Sequence, residues 1–238
     1  MTDFATSRDG TRIAVDRLGR GPVVVVIGGL FNDRTTTRPL AEWLAEGLTV
    51  VNYDRRVRGE SGDFLPYEVE REVEDLEALI AEAGGIAALY GHSSGAGLAL
   101  NAAASELPIT KLILHEPPYS GDDEESQRSA RELAETVRVA IAEDRRVDAI
   151  KAFPTTSGMP PEAAEGAAAD PKMLAVAPTM PYDFETMGDT RGGVIPADLV
   201  RHVDVPTLVI AGDASPEFFM ATARRLVELL PNGRLEVL

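Results

Sequence analysis

The stretch Ile86-Ala-Ala-Leu-Tyr90-Gly91-His92-Ser93-Ser94-Gly95-Ala96-Gly97 decides the fold of this chain. Its first half is short and apolar, which reads as a buried strand. Its second half is built of small residues and runs on to about Ser105 as a helix. Between them a serine stands in the spacing Gly91-x-Ser93-x-Gly95. A sharp strand-to-helix turn there would expose the hydroxyl and set the N–H of Ser94, at the positive end of the following helix, beside it. Such a turn is strained and brings backbones close together, and Gly91, Gly95, Ala96 and Gly97 supply the small neighbours it needs. The competing reading is a serine capping an ordinary helix. The strand directly before, the helix directly after and the place in a strand–helix series favour the turn.

Working outward, the same alternation continues in both directions. Phe4–Ser7 and Thr11–Asp16 read as strands joined by Arg8-Asp9-Gly10, a hairpin signal. Pro22-Val-Val-Val-Val-Ile-Gly-Gly29 is a continuous β-branched run bounded by glycine, the pattern of a strand covered on both faces. A helix over Thr36–Glu46 and a strand over Leu48–Tyr53 follow. A helix over Glu68–Ala83 carries the stripe Val73, Leu76, Leu79 and Ile80 and stops at Gly84-Gly85. Lys111–His115, Val205–Ala211 and Arg234–Leu238 complete the strands, with a helix over Pro216–Leu230 between the last two. This order predicts an α/β fold with a doubly wound, mostly parallel sheet of about eight strands. The segment from 117 to 201 breaks the rhythm with helical patterns and several prolines. It is expected to form a helical cap over a core made of residues 1–116 and 202–238.

The 238 residues suffice for one large core. A net charge of −16 argues against nucleic acid and anionic membrane surfaces as partners. The acidic runs Glu68–Glu77 and Asp122–Glu135 are expected to be solvated helix faces. Cysteine is absent, so disulfides and thiolate metal sites are excluded. No apolar run reaches spanning length, and Met1–Asp9 lacks the blocks of a signal peptide, so the expected location is cytoplasmic. The expected partner is a small-molecule substrate, and a homodimer is left open.

Four places together make the chain resemble the α/β-hydrolase superfamily, over nearly its whole length. They are Gly91–Gly95; Ile27-Gly28-Gly29-Leu30; the turn Tyr53-Asp54-Arg55-Arg56-Val57-Arg58-Gly59-Glu60-Ser61-Gly62; and Val205-Pro-Thr-Leu-Val-Ile-Ala-Gly-Asp213. The third departs from the family pattern, since Val57 sits where glycine is usual. The resemblance implies a serine nucleophile at Ser93 and an oxyanion hole made by the backbone N–H groups of Leu30 and Ser94. Leu30 also reads as a residue packing under the cap. Neither metal nor organic cofactor is implied.

The resemblance places a triad acid after the seventh or the sixth strand. Three residues beyond Gly212 stands Ser215, not an acid. Asp213 is one candidate and also reads as a turn or cap residue. Glu116, pinned before Pro117-Pro118, is the favoured one, though it could instead anchor the cap in an ion pair. The base should be a histidine after the eighth strand, but the three histidines are His92, His115 and His202. His92 and His115 read as packed or hydrogen-bonded, and His202 lies at the wrong end of the sheet. The catalytic histidine is therefore expected beyond residue 238, and residues 1–238 alone are expected to be impaired. The activity so implied is hydrolysis of a small ester, lactone or related carbonyl compound through an acyl-enzyme. The alternative is a non-hydrolytic, ligand-binding member of the same fold. A nucleotide-binding reading fails, because Gly28-Gly29 and Gly91-x-x-x-Gly95 do not form Gly-x-Gly-x-x-Gly.

Overall fold

The four valines of residues 23–26 dictate the centre of the molecule. In the computed structural model, which describes residues 2–157 and 161–238, they lie in a strand whose two faces enter separate apolar clusters. Val25 and Ile27 face one cluster, Val24 and Val26 the other. A strand apolar on both faces is stable only where helices cover both.

In chain order the strands are β1 (Asp3–Thr6), β2 (Arg12–Leu18), β3 (Val23–Ile27), β4 (Thr49–Tyr53), β5 (Ala87–His92), β6 (Ile109–His115), β7 (Thr207–Ala211) and β8 (Gly233–Val237). They form one sheet in the order β1-β2-β4-β3-β5-β6-β7-β8. β1 and β2 are antiparallel, as is the β2–β4 pair, and all other pairs are parallel. The fold is the expected α/β architecture, with its boundaries shifted by at most two residues.

Helix α1 (Arg34–Leu44) packs on one face of the sheet, and α2 (Val69–Glu82) and α3 (Ser94–Ala104) on the other. Leu76, Leu79 and Ile80 of α2 are fully buried, each contributing about 1.5–3 kcal/mol of apolar burial. Between β6 and β7 the chain inserts α4 (Glu124–Ala142), α5 (Arg146–Ser157), α6 (Pro161–Ala169), α7 (Pro171–Val176), α8 (Met180–Thr186) and α9 (Ala197–Val200). Residues 158–160, within the segment expected to form the cap, lie outside the described residues. α10 (Glu217–Leu229) then leads into β8. No helix among the described residues is long and apolar enough to cross a membrane.

One expectation fails in an instructive way. Glu72 and Asp75 are not on a solvated face but are buried against arginines of the 54–62 turn. They fall at the same helical phase as Leu76, Leu79 and Ile80, so the apolar stripe of α2 carries two carboxylates into the interior.

Candidate active site

Ser93 leaves β5 in a conformation that L-residues avoid, φ 54° and ψ −127°. The strain persists because the surroundings over-determine it. The Ser93 N–H donates to the His115 carbonyl (2.8 Å) at the end of the neighbouring strand. A Cβ on Gly95 would run into the carbonyl oxygens of Ile27 and Gly28, and one on Gly91 would strike Ala96 Cα at 2.6 Å. Ser94 opens α3, so its N–H belongs to the first turn, where intrahelical acceptors are lacking.

The loop after β3 lies directly against this serine. A Cβ on Gly29 would stand 2.7 Å from Ser93 Cβ and 3.3 Å from Ser93 Oγ, so no side chain fits between them. Residues 29–32 make a tight turn, with Asn32 N–H donating to Gly29 O (3.1 Å) and Phe31 at φ 63°. In such a turn the N–H of Leu30 is not used internally. Ser93, Ser94 and Leu30 all line a cavity of about 430 Å³, together with insertion residues that include Leu133, Phe184 and Met187.

Glu116 follows β6 with φ 48° and turns toward β7. Its Oε1 accepts the Gly212 N–H (3.0 Å) and the Ser215 hydroxyl. Burial would raise its pKa, but these two bonds and the nearby imidazoles outweigh burial and hold it below the usual carboxylate range. Ser215 thus occupies the position three residues beyond Gly212 and bonds the carboxylate arriving from β6. Asp213 is exposed, with its backbone N–H donating to Leu238 O (2.8 Å).

Two of the three histidines lie close to Glu116. His92 and His115 project together on the α1 side of the sheet, with ring centroids 5.2 Å apart, and His115 Nδ1 is 2.6 Å from the Tyr90 hydroxyl. Burial pushes both imidazoles below the ordinary histidine range. His202 is exposed, and its Nδ1 bonds Asp198 O (2.6 Å).

Sequence reasoning missed a buried ionic network behind the serine. Asp183, on α8 of the insertion, meets Arg55 (2.7 Å) and Arg58 (2.5 Å) and accepts the Ser94 hydroxyl (2.6 Å). Arg55 is also paired with Glu72 through two bonds of 2.6 and 2.7 Å. All five residues are buried. Burial would raise the Asp183 pKa, but Arg58 and Arg55 hold it below the usual range.

A family model for the alpha/beta hydrolase family matches residues 3–238. The chain belongs to this family. Among curated proteins it is similar to an N-formylmaleamate deformylase of Pseudomonas putida, 34% identical over 107 residues. That match spans 43% of this chain and 40% of the length of that relative. Among solved structures, an alpha/beta hydrolase from Sphaerobacter thermophilus is 44% identical with a TM-score of 0.88, covering 99% of this chain and 91% of that one. An esterase from Exiguobacterium antarcticum shares the fold at 21% identity and a TM-score of 0.72, covering 100% of this chain and 90% of that one.

Proposed function

We propose that the protein is a serine-type hydrolase of small, uncharged, largely apolar esters, lactones or related carbonyl compounds. The observation that carries this reading is Ser93, held in a strained turn against Gly29 at the wall of the cavity. Strain concentrated on a single polar side chain is what a preorganised nucleophile requires.

In this reading Ser93 Oγ attacks the acyl carbon, and its proton passes to a histidine. The Leu30 and Ser94 N–H groups receive the negative oxygen, and each such donor is worth about 10²–10³ in rate. The histidine then protonates the departing alkoxide. Water attacks the acyl-enzyme, the acid leaves and the serine regains its proton. Glu116 is the acid that orients the histidine: among the described residues the bonds to its carboxylate from Gly212 and Ser215 both fall on Oε1, which leaves Oε2 for an imidazole N–H. The exposed side chain of Asp213 suits that role less well. None of the three histidines is favourably turned toward Ser93, so the base is assigned to a histidine outside residues 1–238. Such a residue can enter beside Leu238, whose main chain pairs with Ala211 and Asp213 at the Glu116 end of the sheet. Residues 1–238 alone would then hydrolyse esters poorly.

The lining argues for an uncharged substrate. It is mostly apolar, with Leu133, Phe153, Phe184 and Met187 in it, and neither Lys nor Arg is among the described lining residues, whereas Glu125, Asp183 and Asp189 are. A carboxylate such as that of N-formylmaleamate would find no cation among the described lining residues. The partner is thus a small neutral molecule.

A fluorophosphonate probe tests the reading. The full-length gene product should be labelled, and Ser93→Ala should abolish both labelling and hydrolysis of p-nitrophenyl acetate. Absent labelling combined with tight binding of small apolar ligands would overturn it in favour of a non-hydrolytic binding protein.

A further inference from the structure

We propose that Arg58 is a positioning residue for the oxyanion hole, and that Asp183 of the helical insertion holds it in place. The proposal rests on the serine-hydrolase reading above and deepens it.

The argument begins with one peptide group. The N–H assigned to the oxyanion hole is that of Leu30, and the carbonyl of the same planar unit is that of Gly29. In a trans peptide the two point in opposite directions, so holding the carbonyl aims the N–H. Arg58 Nη1 donates to Gly29 O at 2.7 Å and to Asn32 O at 3.1 Å, the two ends of the tight turn that carries Leu30. A cation on the carbonyl also polarises the unit and strengthens its N–H as a donor.

Arg58 is fixed in turn. Its Nη2 donates to Asp183 Oδ2 (2.5 Å) and its Nε to Thr179 Oγ1 (3.2 Å), both on the insertion. The other oxygen of Asp183 accepts the Ser94 hydroxyl (2.6 Å) and Arg55 Nη1 (2.7 Å). Ser94 is the second residue assigned to the hole. A single carboxylate from the insertion therefore tethers both donors, one through Arg58 and one through the Ser94 side chain. Arg58, Asp183, Ser94 and Thr179 are each 3% exposed or less, so water does not compete for these bonds. Lysine could keep the charge opposite Asp183, but a compact ammonium lacks the planar fork that spans all these acceptors.

A bond that aims an oxyanion donor should act on the transition state and leave ground-state binding largely unchanged. In the full-length gene product, Arg58→Lys should lower kcat for p-nitrophenyl acetate about tenfold while KM stays within about twofold. The rate of Ser93 phosphonylation by the fluorophosphonate should fall by the same factor, because that reaction also places negative charge in the hole. Both are measured where circular dichroism shows the variant folded. Ser94→Ala, which keeps every ion pair, should lose about threefold in kcat with the same pattern. A merely structural arginine would lower the melting temperature and leave kcat and the labelling rate of the folded variant unchanged.

A folded Arg58→Lys with wild-type kcat, or a loss confined to KM, would overturn the proposal. Should Arg58→Lys fail to fold, Ser94→Ala decides alone, and an unchanged kcat there overturns the tether. An active wild type with unaffected variants sinks only the positioning role. A wild type that neither turns over nor labels sinks the serine reading, and this proposal with it.

Discussion

Among the turns at the carboxyl edge of the sheet that hold a non-glycine residue at positive φ, those of Ser93 at 54° and Val57 at 65° use that geometry differently. At Ser93 the strained residue is itself the useful one, since its side chain lines the cavity. At Val57 the strained residue is half exposed, while its neighbours Arg55, Arg56 and Arg58 are buried and paired with carboxylates. One turn presents a side chain outward, and the other delivers three cations inward. Strain in a turn thus marks a position held by its surroundings, but only the contacts tell which residue benefits.

The largest effect should come from crowding the first turn. Gly95→Ala would press a methyl group onto the backbone of the β3 loop, 2.8 Å from Gly28 O, where no flexible side chain can yield. Overpacking of this kind costs roughly 1–3 kcal/mol and more where only backbone can move, so a loss of at least about 3 kcal/mol is expected in urea unfolding. A loss below about 1 kcal/mol would mean that the elbow is looser than its contacts imply.

The second turn should be the acid-sensitive one. Glu72 and Asp183 pair with its arginines, and both have folded pKa values below the ordinary carboxylate range, burial being outweighed by the facing cations. A depressed folded pKa gives stability that is fully present above the unfolded pKa of about 4 and is lost as pH falls through the folded values. The share of unfolding free energy that Glu72 and Asp183 supply should therefore be steady from pH 7 to about 5 and decline below about 4, each unit of displacement being worth about 1.4 kcal/mol. Against it runs the opposite slope of Asp75, which burial pushes up to about 6 and which gains stability as pH falls from there toward about 4. Asp183→Asn should flatten that decline. An unchanged slope would show that these pairs do not set the acid limit.

The difference between the turns also explains what could be read before the structure. β3 and β5 were legible because Val23–Ile27 and Ile86–Tyr90 are locally unambiguous, and Ser93 because glycines at fixed offsets announce its turn. The Asp183 network was not legible, because Arg58 and Asp183 are 125 positions apart and nothing local couples them. A partial signal existed: Glu72 and Asp75 interrupt an apolar stripe in phase with it, and carboxylates in phase with a core require cations. Val57 was visible as a departure from the family's glycine, and its φ of 65° supplies the physical reason glycine is usual there. The choice between Glu116 and Asp213 depended on where a loop turns after its strand, which strand patterning does not specify.

Relaxing each strained residue should sharpen the contrast. A β-branched residue in the left-handed region is held at about 1–2 kcal/mol above glycine, offset by about 0.5–1 kcal/mol of extra chain entropy in the unfolded glycine variant. Val57→Gly should therefore raise stability by up to about 1 kcal/mol, or about 2 °C in melting temperature, and leave Ser93 labelling intact. Ser93→Gly should gain a similar amount and lose labelling completely. Equal labelling loss in both would erase the distinction between the two turns.

The smallest effect is expected just before the second turn. Tyr53 ends β4, is 3% exposed, and its hydroxyl has no hydrogen-bond partner among the described residues. Burial, with Glu72 close by, raises its pKa far above the usual phenol range, so it stays neutral at any working pH. A buried hydroxyl that bonds to no described protein group has little to offset its desolvation. Phenylalanine fills the same ring volume without the oxygen, so Tyr53→Phe should be neutral or stabilising by less than about 1 kcal/mol, with the denaturant slope unchanged. The arginines beside it are fully engaged by Glu72, Asp75 and Asp183, and so do not depend on the phenol. A loss of 1 kcal/mol or more would reveal that the hydroxyl takes part in the buried network after all, and that the arginine turn reaches back into β4 for support.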